Sequence, residues 1–208
     1  MPEVKPDSAQ TSALLLRVGQ GDAQALERLL KRHRPQLHDF IELHLDRRLR
    51  SRLDPSDVVQ ETQMELVRRM DDYLHKRPMP FHLWQRKKAY ERMFNLRRDH
   101  LGRARRSVSR EVAMPDRSSL LLARPLLTSS PSQRLQTREL AERLGRAVEA
   151  LSEPDREVLL LRHAEDLSFD EIAALLDIES ATARKRFGRA LIRLQKALTD
   201  AGLLESGQ

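Results

Sequence analysis

The stretch from Leu167 to Leu198, LSFDEIAALLDIESATARKRFGRALIRLQKAL, leaves little freedom in its local structure. Ser168 followed three residues later by Glu171 is a capping box, so a helix begins there. Ile172, Leu175 and Leu176 give that helix one apolar side. Asp177 interrupts the run, and Ile178 is the apolar residue of a turn that tucks one side chain under two helices. A second helix runs from about Ser180. Its Ala183, Phe187, Ala190, Leu191, Leu194 and Leu198 fall on one narrow stripe at 100° per residue. The spacing predicts a complete helix-turn-helix.

The other side of the second helix carries the chemistry. Ala181, Lys185, Gly188, Arg189 and Lys196 point away from the stripe, and Arg184, Arg186 and Arg193 flank it. Ser180, Ala181 and Thr182 keep the first turn small enough to enter a major groove. The flanking arginines can hold phosphates, while Lys185 and Arg189 can reach base edges. An amphipathic surface helix with a solvated basic face has the same pattern. The capping box, the apolar turn residue and the helix lengths together favour DNA.

Charge placement supports a polyanionic partner. The net charge is +7, and the segment Arg86 to Arg110 holds ten basic residues against only Glu91 and Asp99. That block carries +8, which leaves −1 on the rest of the chain. There is no cysteine, which excludes disulfides and thiolate metal sites and fits a reducing compartment. No run of transmembrane length and no signal peptide is visible, so a soluble, cytoplasmic protein is expected.

At 208 residues the chain fits one domain or two small ones. Residues 1–10 are polar with two prolines and are expected to be loose. A short helix is expected around Ser12 to Val18, broken by Gly19 and Gly21. Asp22 can cap the next helix, with Ala25, Leu26, Leu29 and Leu30 on its buried side. Pro35 marks another start, and Leu37, Phe40, Ile41 and Leu45 continue the pattern. His33, His38 and His44 do not stack on one helix face and are expected at the surface. No strand signal appears.

Leu53 to Leu74 reads as a helix capped by Asp54, with Pro55 in its first turn and the carboxylates of Asp54, Asp57 and Glu61 near its positive end. Val59, Leu66, Met70 and Tyr73 lie on one face. Asp57, Gln60, Glu61, Met64 and Arg68 lie together on the opposite one. That polar face suits docking on another protein, with Met64 as an adaptable apolar contact. Ordinary helix solvation accounts for it equally well.

Phe81, Trp84, Tyr90 and Phe94 are interleaved with the basic block. Rings among arginines suit melted nucleic acid, where bases stack while cations track the backbone. Rings of this kind also make cores, and at least two of the four are expected to be buried. Residues 107–133 change character, with Pro115, Pro125, Pro131 and paired serines, and read as a linker. Leu120, Leu121 and Leu122 within it are apolar enough to pack on a partner. Beyond it, Leu140, Leu144, Ala147, Val148 and Leu151 mark a helix, and Ser152 with Asp155 caps the next. The resulting fold class is all-α: two small helical domains, 11–106 and 134–203, joined by a Pro/Ser-containing linker, with a tail at 204–208.

The order of these features resembles a bacterial sigma factor of the extracytoplasmic-function group. The matching residues are Asp57-Val-Val-Gln60-Glu61, the Phe81 to Arg106 segment, Leu151-Ser-Glu-Pro-Asp155-Arg156-Glu157, Leu167-Ser168 to Glu171-Ile172-Ala173, and Thr182 to Leu194. The resemblance spans nearly all the chain past Ser12. It implies that Asp57, Gln60, Glu61, Met64 and Arg68 dock on core RNA polymerase. It implies that Trp84, Arg86, Lys87, Lys88, Glu91, Arg92, Arg97, Arg98, Arg105 and Arg106 belong to the segment that captures the minus-ten strand. The last domain, through Ser180, Ala181, Thr182, Arg184, Lys185, Arg186, Gly188, Arg189 and Arg193, would read the minus-thirty-five element of promoter DNA. Such a factor lends the polymerase specificity, catalyses nothing, needs no cofactor or metal, and commonly has an anti-sigma protein as a partner.

Departures from the pattern are local. Gln85 follows Trp84 where the family commonly has Leu, Lys88 stands for Ile, and Glu91 stands where an amide would face a base. Glu179 replaces the Ser that commonly caps the recognition helix, which passes that role to Ser180. A stand-alone helix-turn-helix regulator would leave the Asp57 face and the aromatic-basic segment without a purpose, and would be expected to dimerise. An enzyme acting on nucleic acid lacks support from any glycine-rich phosphate loop or HExxH spacing. Neutralising Arg97, Arg98, Arg105 and Arg106 is expected to flatten the salt dependence of single-strand binding by about 0.7 in log–log slope per lost phosphate contact. A salt titration of binding checks this, and an unaltered slope would place those side chains elsewhere.

Overall fold

The computed structural model describes residues 4–50, 52–103, 145–148 and 150–200. Side chains are described as far as Asp99 in the first part, apart from those of residues 47 and 48. The expected linker, Arg105, Arg106, the helix residues Leu140 and Leu144 and the tail lie outside the described residues. The chain divides into two units, Met1–Ser109 and Arg110–Gln208. Every regular element among the described residues is a helix.

The first unit contains α1 (Ala9–Gly19), α2 (Ala23–His44), α3 (Arg47–Arg50), α4 (Pro55–Arg68), α5 (Met70–Lys76) and α6 (Phe81–Arg103). Asp22 caps α2 as expected, its Oδ1 accepting from the Ala25 amide at 3.0 Å. Gly21 supplies the positive φ (83°) that the tight α1–α2 turn requires. Pro35 does not start a helix; α2 runs through it for 22 residues. A proline inside a helix costs about 3 kcal/mol. Burial of Leu29, Leu37, Phe40 and Ile41 on both sides of it offsets that cost. The expected 53–74 helix also differs: it breaks at Arg69 into α4 and α5.

The N-terminal residues are more ordered than their composition implies. Helix α1 begins at Ala9 rather than Ser12, because Ser8 caps it by accepting from the Thr11 amide. Asp7 reaches across the sequence to the start of α6. Its carboxylate accepts from the amides of Phe81 (2.7 Å) and His82 (3.2 Å) and pairs with His82 Nδ1 at 3.1 Å. Two orphan donors of α6 are thereby satisfied by a residue 74 positions away. Burial raises the Asp7 pKa, but these hydrogen bonds outweigh it and hold the carboxyl below its usual range.

Leu15, Leu29, Leu66, Met70, Tyr73, Phe81 and Trp84 form one apolar cluster. Within it Trp84 stacks on Tyr73 with centroids 4.3 Å apart, and Phe81 meets Tyr73 edge-on. Gln85 is buried as well. Its amide lies 3.3 Å from His33 Nδ1, and His33 Nε2 lies 3.0 Å from Thr11 Oγ1. Thr11 in turn meets Ser8 Oγ at 3.0 Å. His33 is therefore no surface histidine. Gln85 Nε2 only donates, so Nδ1 accepts, and the neutral ring carries its proton on Nε2 toward Thr11.

The second unit contains a helical stretch at 145–148, α7 (Glu153–His163), α8 (Phe169–Leu176) and α9 (Ser180–Asp200). Both halves of the Ser168–Glu171 capping box are made. Asp177 closes α8 in the left-handed region at φ 57°, a conformation Asp tolerates, and a half-buried Ile178 follows. Ala147, Val148, Leu151, Leu159, Ala190 and Leu198 form the core, with Phe187, Leu194 and Ala197 packed against it. Leu191, expected in the stripe, is 39 % exposed instead. Two expected caps are absent. Ser152 makes no side-chain cap to α7. Ser180 opens α9 as its first helical residue, with a buried Oγ that finds no partner.

Burial holds the His33 pKa at about 4, against an ordinary 6.5. The unfolded chain therefore takes up that proton first as pH falls. Stability from neutral His33 is complete above about pH 6.5 and is lost between there and about pH 4, an effect of roughly 3 kcal/mol. His33→Gln should remove this component from the pH profile of denaturant unfolding; an unchanged profile would mean the ring titrates normally.

Candidate docking and nucleic-acid interfaces

Helix α4 turns Val58, Val59, Thr62 and Leu66 into the first unit. The opposite stripe, Asp57, Gln60, Glu61, Met64 and Arg68, is exposed at every position. Met64 is 52 % exposed, and Val67 beside it is also exposed. Val67 has no signature in the sequence, because a lone valine on a polar flank gives no periodic signal. Glu61 is not isolated: it accepts from Arg92 of α6 at 2.7 Å. Glu65, one turn on, pairs with Arg68 and Arg69, which holds its carboxyl below the usual range. The face thus combines fixed carboxylates with a small apolar centre.

Helix α6 sorts the expected strand-capturing residues into three groups. Trp84 belongs to the core: it is 6 % exposed and sandwiched in the Tyr73–Phe81 cluster, so no base can stack on it without unfolding. Arg86 lays its guanidinium over the Phe40 ring at 5.8 Å and donates to the His82 carbonyl. Lys88, Glu91 and Arg92 are engaged in ion pairs, Lys88 with Glu91 at 2.7 Å and Arg92 with Glu61 at 2.5 Å. The two departures Lys88 and Glu91 therefore form a pair with each other, and the acid's charge is compensated within one turn. Lys87 and Arg97 are half-buried, and Arg98 is exposed beside Asp99. The ring that faces outward is Phe94, 52 % exposed, one turn before Arg97 and Arg98. Arg105 and Arg106 lie outside the described residues.

On α9, Ala181, Arg184, Lys185 and Arg189 are exposed, while Ser180, Thr182, Arg186 and Gly188 are half-buried at its edge. Arg184 lies over the Phe169 ring of α8 at 5.5 Å, which fixes its direction without using its donors. Nothing blocks a Cβ at Gly188, so the glycine keeps the helix surface low rather than avoiding a neighbour. Arg189 and Arg193 both reach Asp155 of α7. The sequence assigned Asp155 to a cap, and so hid this contact.

Among the described residues, His38, Asp39 and Glu42 bring possible ligand atoms within 4.8 Å of one another, with His38 and Glu42 half-buried and Asp39 exposed. No helix among the described residues is long and apolar enough to cross a membrane.

The second unit is a helix-turn-helix with a basic outer face, and the first carries an exposed acidic-apolar stripe. Residues 139–194 match the family model "Sigma-70, region 4". The chain is 27 % identical over 179 residues to the ECF RNA polymerase sigma-E factors of Salmonella typhimurium and Escherichia coli K12, covering 85 % of this chain and 88 % of each of theirs. The fold is similar to the solved structure of CnrH in complex with the cytosolic domain of CnrY (22 % identity, TM-score 0.57, 93 % of this chain and 99 % of that one). It is also similar to RpoE in complex with the anti-sigma factor NepR from Bartonella quintana (20 % identity, TM-score 0.53, 83 % and 96 %). Over most of its length the chain is thus similar to extracytoplasmic-function sigma factors, and its residues 139–194 match a sigma-70 region 4. It is a transcription initiation factor that directs RNA polymerase to promoters.

The contrast between two rings gives a direct check. Trp84→Ala should cost about 3–5 kcal/mol of stability in chemical unfolding. Phe94→Ala should leave stability nearly unchanged and weaken single-strand binding by about 1–3 kcal/mol, measured by fluorescence anisotropy. Equal, small stability effects would place both rings outside the core.

Proposed function

We propose that the α4 stripe Asp57, Gln60, Glu61, Met64 and Arg68, extended by Val67, is the surface that docks on core RNA polymerase. The observation that supports this is the exposure of all five residues on a helix whose other side, Val58, Val59, Thr62 and Leu66, is buried. A polar stripe left outside by folding, with an adaptable apolar residue at its centre, has the composition of a protein interface.

The outer face of α6, with Phe94 as the stacking ring and Lys87, Arg97 and Arg98 along the backbone path, receives the opened minus-ten strand. Trp84 is not part of that surface. The first turns of α9 face duplex DNA at the minus-thirty-five element. Arg184 and Lys185 lie at the centre, Ser180, Ala181, Thr182, Arg186 and Gly188 line the approach, and Arg189 sits at the far edge. The domains proposed are 11–106 and 134–203, joined by 107–133. The chain contributes no catalysis of its own and acts where the polymerase acts, in the cytoplasm. CnrH and the Bartonella RpoE are each seen with a partner protein, the latter's an anti-sigma factor. A partner of that class is carried to this chain on the strength of the shared fold.

Run-off transcription with purified core polymerase, with and without the full chain, on a genomic fragment library tests the reading. Discrete new start sites are expected. Suppression of another factor's starts, with none gained, would instead favour a stand-alone regulator. Asp57→Lys with Met64→Ala should reduce co-purification with core polymerase at least tenfold while leaving the circular dichroism spectrum intact. Unchanged co-purification would remove α4 from the interface.

A further inference from the structure

The buried carboxylate of Asp155 has no role in the reading above. It sits in the first turn of α7, shielded entirely from solvent, yet both its partners come from α9. Arg193 Nη1 lies 2.6 Å from Oδ2 and 3.4 Å from Ser152 Oγ. Arg189 Nη2 lies 3.2 Å from Oδ1. The two arginines are four residues apart, so they rise from one side of the helix, and their side chains remain more than half exposed. A buried carboxylate is strongly disfavoured without such partners, which makes the contact hard to give up.

Arginines on a DNA-facing helix are drawn to the nearest phosphate, and such contacts add affinity without sequence information. Arg193 commits one nitrogen, Nη1, to both Asp155 and Ser152, and Arg189 commits one, Nη2, to Asp155 alone. We propose that Asp155 is a specificity-determining positioning residue: it withholds Arg193 from the phosphate backbone and fixes the direction in which Arg189 reaches the duplex. Discrimination then rests on the first turns of α9, where Arg184 and Lys185 stand. This rests on α9 being the duplex-facing helix.

The test uses holoenzyme assembled from core polymerase and the full chain, with a promoter duplex recovered by run-off and a random-sequence duplex of equal length. Asp155→Asn keeps the side-chain shape and removes the charge. It should tighten binding to random duplex, steepen the log–log salt slope by about 0.9 to 1.8, as expected for one or two freed arginines, and lower the promoter-to-random ratio several-fold. A merely structural Asp155 would lower the melting temperature without steepening the slope. A folded Asp155→Asn variant with unchanged slope overturns the proposal. Arg193→Ala decides the matter even where Asp155→Asn does not fold. An unchanged slope shows that Arg193 contacts no phosphate and supports withholding, whereas a slope reduced by about 0.9 overturns it. Lys185→Ala reports separately on the underlying reading: a reduced slope or ratio supports it, and no change in either overturns the assignment of α9 itself.

Discussion

The first unit depends on burial of the opening two turns of α6. That helix is long and strongly basic, and a helix of this kind gains little from its outward face. It is held instead through Phe81, Leu83, Trp84, Gln85 and Ala89, all buried, and through the Asp7 carboxylate at its first two amides. Met93 and Leu96 continue the buried side, so the charged residues further along stand on a helix that is packed beneath them. The Tyr73–Phe81–Trp84 cluster is accordingly a mounting rather than a binding surface. The aromatic side chain most accessible on α6 is displaced along it to Phe94.

The capping box of α8, the Asp22 cap, the exposed stripe of α4 and the basic face of α9 were legible in the sequence, because each rests on residues within two or three turns of one another. What escaped was long-range. Asp7 sits in a polar, proline-bearing stretch, and nothing local distinguishes a loose terminus from one that caps a helix 74 residues away. Pro35 is a boundary signal on local grounds, whereas the buried side of α2 continues through it. Asp155 has the spacing of a capping residue, and its burial beneath two arginines of α9 depends on tertiary packing. Trp84 carried the right chemistry for stacking on a base, but the same ring is also the best available filler for the core.

Charge pairing explains how the departures from the family pattern are accommodated. Lys88 and Glu91 are each unexpected alone, and together they are a neutral pair on one turn of α6. Glu61 and Arg92 link the exposed stripe of α4 to the same helix. Three of the segment's ten cations, Lys88, Arg92 and Arg98, thus have a carboxylate partner, so fewer cations are offered to a nucleic acid than the residue count suggests. On α9 the same logic applies through Asp155.

The hydrogen bond between Gln85 and His33 carries an evolutionary consequence. Replacing Gln85 by leucine would strand an imidazole nitrogen in an apolar interior, and replacing His33 by an apolar residue would strand the amide. Either step alone passes through a less stable intermediate, while both together restore an ordinary hydrocarbon interior. Across descendants of this chain, positions 33 and 85 should therefore drift as a couple, with position 11 following the imidazole.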